Sequence, residues 1–209
     1  MWSAEKVTPW LTLAIPTQPS KPERMVGLRR VLEQLSSLAW RPDLYTVTVL
    51  PSEGPQWTVG AKWRQAIAQC QTDWLYLLAD DLHILTDEWD SILYGATFSP
   101  STVLIHGYDR LFTEYLAAFP CLRTSFAQAL LPNLTDYGHY KIDDHLFDVA
   151  KRMGGVRYLP TLEVIADEAF HGVPYVCEPI QAARDNAVYH DLEPQRAADA
   201  QRLKLTVSA

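Results

Sequence analysis

Asp73-Trp74-Leu75-Tyr76-Leu77-Leu78-Ala79-Asp80-Asp81-Leu82 is a hydrophobic run that reads as a buried β-strand and ends on two adjacent carboxylates. A continuous apolar run of this length suits a central strand covered on both faces. In an open α/β sheet, ligands bind in the crevice beyond the carboxyl ends of the strands, where Asp80 and Asp81 would stand. Hard carboxylate oxygens suit magnesium or manganese, whose remaining positions are filled by water and substrate phosphates. A solvated turn carrying two acids is the plainer alternative, and the surrounding residues decide between them.

Working back from this run, Ala61 to Gln71 reads as a helix. Leu44 to Leu50 reads as a strand closed by Pro51, Gly54 and Pro55. Met25, Leu28, Val31, Leu32, Leu35 and Leu38 recur at spacings of three and four, an amphipathic helix from Pro22 to near Trp40, with Pro42 beyond. Trp10 to Ile15 is a first strand stopped by Pro16-Thr17-Gln18-Pro19. The order β-α-β-α-β predicts an α/β fold: a parallel sheet covered by helices, with right-handed crossovers.

Working forward, Asp87 to Tyr94 reads as a short helix, Thr102 to His106 as a strand, and 121–131 as a helix before Pro132. Asp143 to Met153 is a stronger helix, apolar at Leu146, Phe147, Val149 and Ala150 and ended by Gly154-Gly155. Val156 to Leu159 and Leu162 to Ile165 are two short strands around Pro160. From Cys177 onward the apolar density falls, and Ala182 to Leu205 reads as a polar helical tail. The organisation expected is one domain over 1–176 with a tail over 177–209 that packs on it or on the acceptor site.

The chain has 209 residues, 48% hydrophobic and 21% charged, an ordinary globular composition. A net charge of −7 disfavours tight sequence-independent nucleic-acid binding. Cys70, Cys121 and Cys177 fit neither a disulfide framework nor a zinc pattern. Residues 1–20 lack the apolar core of a signal peptide, and no run is long enough to span a membrane. A soluble, cytoplasmic protein is expected.

Four features then line up in order: Ile15-Pro16-Thr17 after the first strand, a helix start at Gly60-Ala61-Lys62-Trp63-Arg64-Gln65, the strand end Ala79-Asp80-Asp81, and Ile142-Asp143-Asp144 opening a helix. In this order the chain resembles the compact inverting GT-A-type glycosyltransferases of the family-2 kind, over roughly residues 10–172. The resemblance implies a GT-A, Rossmann-like, mixed but mainly parallel sheet flanked by helices. It implies sugar transfer from a nucleotide-diphosphate sugar, a UDP-sugar above all, to a hydroxyl acceptor, with Mn2+ or Mg2+.

Carried over by the resemblance, Asp81 is the metal-binding final acid of an Asp-x-Asp-type motif, and Asp80 contacts the ribose or shares the metal. Ala79 stands where the family's acidic run usually begins. Asp144 is the general base with Asp143 its neighbour, although both would also suit the first turn of a helix as dipole-favoured acids. His171, in Glu168-Ala169-Phe170-His171-Gly172, is a third metal ligand. Pro16, Thr17, Gln18 and Arg24 would face the nucleoside. Gly60, Lys62 and Arg64 would lie under the diphosphate, where a helix amino terminus and cations both favour anions. Family members often have Asn near position 64, and the acid expected after the second strand is here no nearer than Glu53. Trp57, Trp63 and Trp89 are placed near the crevice edges.

Tyr108, Arg110, Tyr115, Arg123, Tyr137 and Tyr140 make the middle region aromatic and polar enough for a saccharide or a nucleobase acceptor. Compact enzymes of this look also decorate hydroxymethylated bases of phage DNA. A basic strip of Arg110, Arg123, Lys141, Lys151, Arg152 and Arg157 would favour that acceptor. A nucleotidyltransferase is a further alternative, but three prolines in Pro16 to Pro22 make a poor phosphate cradle. A non-catalytic binding module is the last.

Overall fold

The computed structural model describes residues 8–51, 58–134, 137–172 and 178–207. The first half alternates as β1 (Leu11–Thr17), α1 (Pro22–Ser37), β2 (Tyr45–Pro51), α2 (Val59–Gln69) and β3 (Trp74–Leu77). It continues through β4 (Leu82–Ile84), α3 (Trp89–Thr97), β5 (Leu104–Tyr108), β6 (Cys121–Arg123), α4 (Thr124–Leu130) and α5 (Ile142–Met153). β7 (Val156–Ala166), α6 (Asp167–Phe170), α7 (Pro179–Asp191) and α8 (Glu193–Val207) follow.

The strands form one seven-stranded sheet in the order β2-β1-β3-β6-β5-β7-β4. β1 is parallel to β2 and β3, and β5 to β7; β6 is antiparallel to β3 and β5, and β4 to β7. Strands β1, β2, β3, β5 and β7 therefore share one direction and β4 and β6 oppose it, a mixed but mainly parallel sheet.

Side-chain alternation splits β3 between two cores. Trp74, Tyr76 and Leu78 pack with Leu28, Val31 and Leu35 of α1 and Leu93 of α3. Leu75 and Leu77 pack on the other face with Trp63 and Ile67 of α2 and Leu146 and Val149 of α5. All are buried, each leucine contributing about 1.5–3 kcal/mol, which holds the central strand rigid beneath whatever its end carries. Pro22 opens α1, Thr58 caps α2 by accepting from the Ala61 N–H at 3.0 Å, and Gly154 at φ 74° ends α5.

Two expectations change and one strand is added. The stretch 121–131 is not all helix, because Cys121–Arg123 is inserted as a strand between β3 and β5 before α4 begins. A three-residue strand has too few positions to show a period of its own. The two short strands around Pro160 are one bent strand, β7. Its pairing with β5 jumps from Gly107↔Leu159 to Tyr108↔Glu163, a bulge that takes up the proline. Leu82–Ile84, to which the sequence reading assigns no element, is a strand that pairs with the far end of β7.

The tail forms two helices. α8 lies on α5, with Ala200 and Leu203 in the core and the buried Arg196 donating through Nε to Asp148 at 2.8 Å. Among the described residues, no helix is long and apolar enough to cross a membrane.

Candidate active cleft

The end of β3 is anchored on both sides. The Leu78 N–H donates to the Ala14 carbonyl at 3.0 Å, and the Leu78 carbonyl accepts from Trp63 Nε1 at 3.2 Å. The chain then leaves the sheet, carrying Ala79, Asp80 and Asp81 past its carboxyl edge. Gly27 of α1 packs against this turn, where a Cβ would stand 2.3 Å from the Asp80 carbonyl oxygen, so only glycine permits the approach. Three residues earlier on the same helix face, Arg24 Nη1 donates to Asp80 Oδ1 at 2.8 Å and also binds Asp81 Oδ2.

Asp80 is 4% exposed. Burial raises its carboxyl above the usual carboxylate range, against the opposing pull of the Thr17 hydroxyl and Arg24. Its second oxygen, Oδ2, is buried without a well-formed hydrogen bond among the described residues. A free hard oxygen beside a second carboxylate, with a cationic group already spanning the pair, fits a divalent cation once Arg24 moves aside.

The facing wall starts at α5. Lys141, at φ 69°, precedes the helix, and its Nζ holds Asp144 Oδ1 at 2.9 Å. Burial, then the neighbouring Asp144 carboxylate, raises the proton affinity of Asp143 well above the carboxylate norm. The loop before α5 is held by the tail. Asp185 of α7, fully buried, accepts from the backbone N–H groups of Gly138, His139 and Tyr140 at 3.0, 2.8 and 2.7 Å. Arg64 Nη1 donates to the Leu134 and Tyr137 carbonyls, fixing the same loop from below.

Between these walls lies a cleft of about 490 Å³. Asp80, Asp81, Asp143, Asp144, Asp109 and Glu168 line it together with Pro16, Trp63, His139 and Asn186. Leu111, Phe112, Leu116 and Phe119 form its apolar side. Asp109 Oδ1 shapes that side by accepting from three successive N–H groups, Leu111, Phe112 and Thr113.

Both acidic pairs and Pro16 thus meet in one cleft, and Thr17 lies buried against Asp80. The helix-start residues do not join them. Gly60 donates to the Gly138 carbonyl and packs on it, Lys62 meets Gln65 on the surface at 3.2 Å, and Val59 and Trp63 reach the cleft from α2 instead. Gln18 lies outside the lining. His171 is directed to Asp167 and His83, and it too is absent from the lining.

Trp89 is corrected from crevice edge to core: it is 1% exposed, with Nε1 donating to the Leu35 carbonyl. Glu53, Trp57 and Cys177 lie outside the described residues. The six basic residues do not form one strip. Arg123 sits over Trp74 at the opposite end of β3, Arg152 is paired with Asp148 and Glu193, and Lys141 is held by Asp144. Sequence reading missed Gly27, Asp109, Asp185 and Asn186. A glycine inside a helical pattern signals close approach, which marks Gly27; the others carry no local signal.

No protein-family model matches the sequence, and no curated protein matches it. Solved structures do match the fold. Glucosyl-3-phosphoglycerate synthase from Mycobacterium tuberculosis, in complex with Mn2+, UDP and glucosyl-3-phosphoglycerate, aligns with a TM-score of 0.62 and 13% identity, over 91% of this chain and 80% of that one. The mannosyltransferase PcManGT from Pyrobaculum calidifontis, in complex with GDP-Man and Mn2+, aligns at 0.52 and 12% identity over 97% and 76%. TarS from S. aureus aligns at 0.50 and 13% over 78% of this chain but 38% of its own. The fold is that of the GT-A glycosyltransferases. What this particular chain does with it rests on the residues of its own cleft.

Proposed function

We propose that the protein transfers a sugar from a nucleotide-diphosphate sugar, a UDP-sugar by preference, to a hydroxyl acceptor with inversion. The observation that carries this reading is the meeting of Asp80 and Asp81, beyond β3, with Asp143 and Asp144, at the start of α5, in one cleft. Asp81 and Asp80 would hold Mn2+ or Mg2+. When bound, the cation supplies positive charge for the leaving diphosphate. Pro16 and Thr17 would seat the nucleoside beside them. The Asp143–Asp144 pair takes the acceptor proton as the acceptor oxygen attacks the anomeric carbon. Direct displacement by the acceptor oxygen needs a base, which the Asp143–Asp144 wall offers, and a single displacement of that kind inverts the anomeric carbon. Lys141 keeps Asp144 oriented, and the apolar side at Phe112 and Phe119 limits water near the reacting carbon.

The cations lining the cleft among the described residues, Arg24 and Lys141, are both engaged by carboxylates. A neutral acceptor such as a saccharide suits that wall better than a polyanion, and the dispersed basic residues lend a phage DNA base no support. The test is a screen of UDP- and GDP-sugars with Mn2+ for binding and slow hydrolysis, on the natural chain and on Asp81→Ala. Metal-dependent binding of one donor, lost in the variant, is expected. Absence of binding to any donor with any divalent metal would overturn the reading.

A further inference from the structure

We infer that His83, Asp167 and His171 form a second divalent-cation site, of zinc-class chemistry, outside the cleft. The three come together through the sheet. β4 and β7 pair with Leu82 opposite Ala166, and the Asp167 N–H extends the pairing to the Asp81 carbonyl at 2.8 Å. His83 therefore lies alongside the turn of α6, which places His171 four residues after Asp167 on the same side.

The donor spacing is that of a ligand set. His83 Nε2 stands 2.9 Å and His171 Nε2 3.6 Å from Asp167 Oδ1, and the three donors lie within 4.8 Å of one another. Ligands about 2.1 Å from one ion, separated by right or tetrahedral angles, stand about 3.0 to 3.4 Å apart. The set is also held in place. Phe170 stacks on the His83 ring, with centroids 3.8 Å apart and planes inclined by 12°. Arg30 Nη2 bonds Asp167 Oδ1 at 2.9 Å, and the second carboxylate oxygen allows that contact to persist as outer support. Two imidazoles and one carboxylate select borderline ions such as Zn2+ or Co2+ over Mg2+, unlike the all-oxygen pair at Asp80 and Asp81. None of the three residues lines the cleft. An ion here would tie the α6 turn to β4 behind the acids.

The test is titration with Co2+ alone, without nucleotide, read by visible absorption and by calorimetry, with Zn2+ as competitor. A Co2+ ion displaced by Zn2+, in addition to any held by the cleft acids, is expected. His171→Ala, whose side chain is largely exposed, should weaken binding at least tenfold, as should Asp167→Asn. The double variant Asp80→Asn with Asp81→Asn removes any Co2+ held by the cleft acids and should keep one Zn2+-displaceable Co2+ per chain, with the affinity that this ion has in the natural chain. No Co2+ binding, or binding unchanged in His171→Ala, would overturn the site. Loss of binding in the Asp80/Asp81 double variant would overturn it as well, by moving the ion into the cleft.

Discussion

Arg24 Nη1 donates to Asp80 Oδ1 at 2.8 Å, and the same nitrogen reaches Asp81 Oδ2, so one guanidinium closes the pair of acids that ends β3. The contact depends on α1 lying against the turn, which depends on Gly27. A cation entering between these carboxylates must displace it.

Arg24→Ala should therefore bind Mn2+ more tightly than the natural chain in the absence of nucleotide. Arg24 is about one-third exposed, so the pair it makes is worth about 1 kcal/mol after solvent screening, and the gain should be about fivefold. Calorimetry or the free Mn2+ signal in electron paramagnetic resonance would read it. Equal or weaker binding would mean that Arg24 does not compete for the acids.

Asp144→Asn should lower kcat by about 10²- to 10⁴-fold with little change in donor affinity, the loss expected when a proton acceptor is removed. Asp143→Asn removes the like charge beside it and should cost less. Its clearer effect would be a shift of the pH–rate profile, since burial and the neighbouring carboxylate raise the proton affinity of Asp143 well above the carboxylate norm. Equal, modest losses in both variants would argue for first-turn acids that only stabilise the helix.

Gly27→Ala places a methyl group 2.3 Å from a backbone oxygen that has no side-chain freedom to yield. The strain should cost about 1–3 kcal/mol, or about 2–10 °C in Tm for a chain of this size. Donor binding should weaken with it. An unchanged melting curve would show that α1 does not need this approach.

Asp185→Ala would leave the N–H groups of Gly138, His139 and Tyr140 without their acceptor. One buried orphan donor costs about 1–3 kcal/mol, so the loop before α5 should loosen and KM for the acceptor should rise more than KM for the donor. Hydrogen exchange at 138–140 would report the loosening directly. Protection equal to that of the natural chain would refute the role given to α7.

Stability should fall on acidification below neutrality. Burial holds His106 and His145 neutral, at about 4 against an ordinary 6.5. As pH falls from 6.5 toward 4 the unfolded chain takes protons that the folded chain refuses, a loss of up to about 3 kcal/mol for each histidine. Asp80, Asp109 and Asp143 work in the opposite sense, because their raised affinities cost stability as pH rises through the range above the carboxylate norm. His139 is lowered in the same sense as His106 and His145, and with the large shifts of those two it carries the balance, so the urea midpoint should be lower at pH 4.5 than at pH 7. A midpoint that rises would contradict the burial argument.

The sequence by itself determined the alternation from β1 to β3, the buried strand ending on Asp80 and Asp81, and the helix opened by Asp143 and Asp144. Each of these is written in local periodicity and in the breakers Pro16, Pro51 and Gly154, which act over a few residues. Only the tertiary structure decided the rest. It inserted Cys121–Arg123 between β3 and β5, joined the halves of β7 across Pro160, and brought Arg24 onto the acids. It also turned His171 toward His83 and tied Arg64 to the carbonyls of the cleft loop. Asp185 shows why: it lies more than forty residues from the three N–H groups it binds, and a contact made across such a separation leaves no period and no spacing along the chain. It exists only when packing of the two cores has brought the segments together.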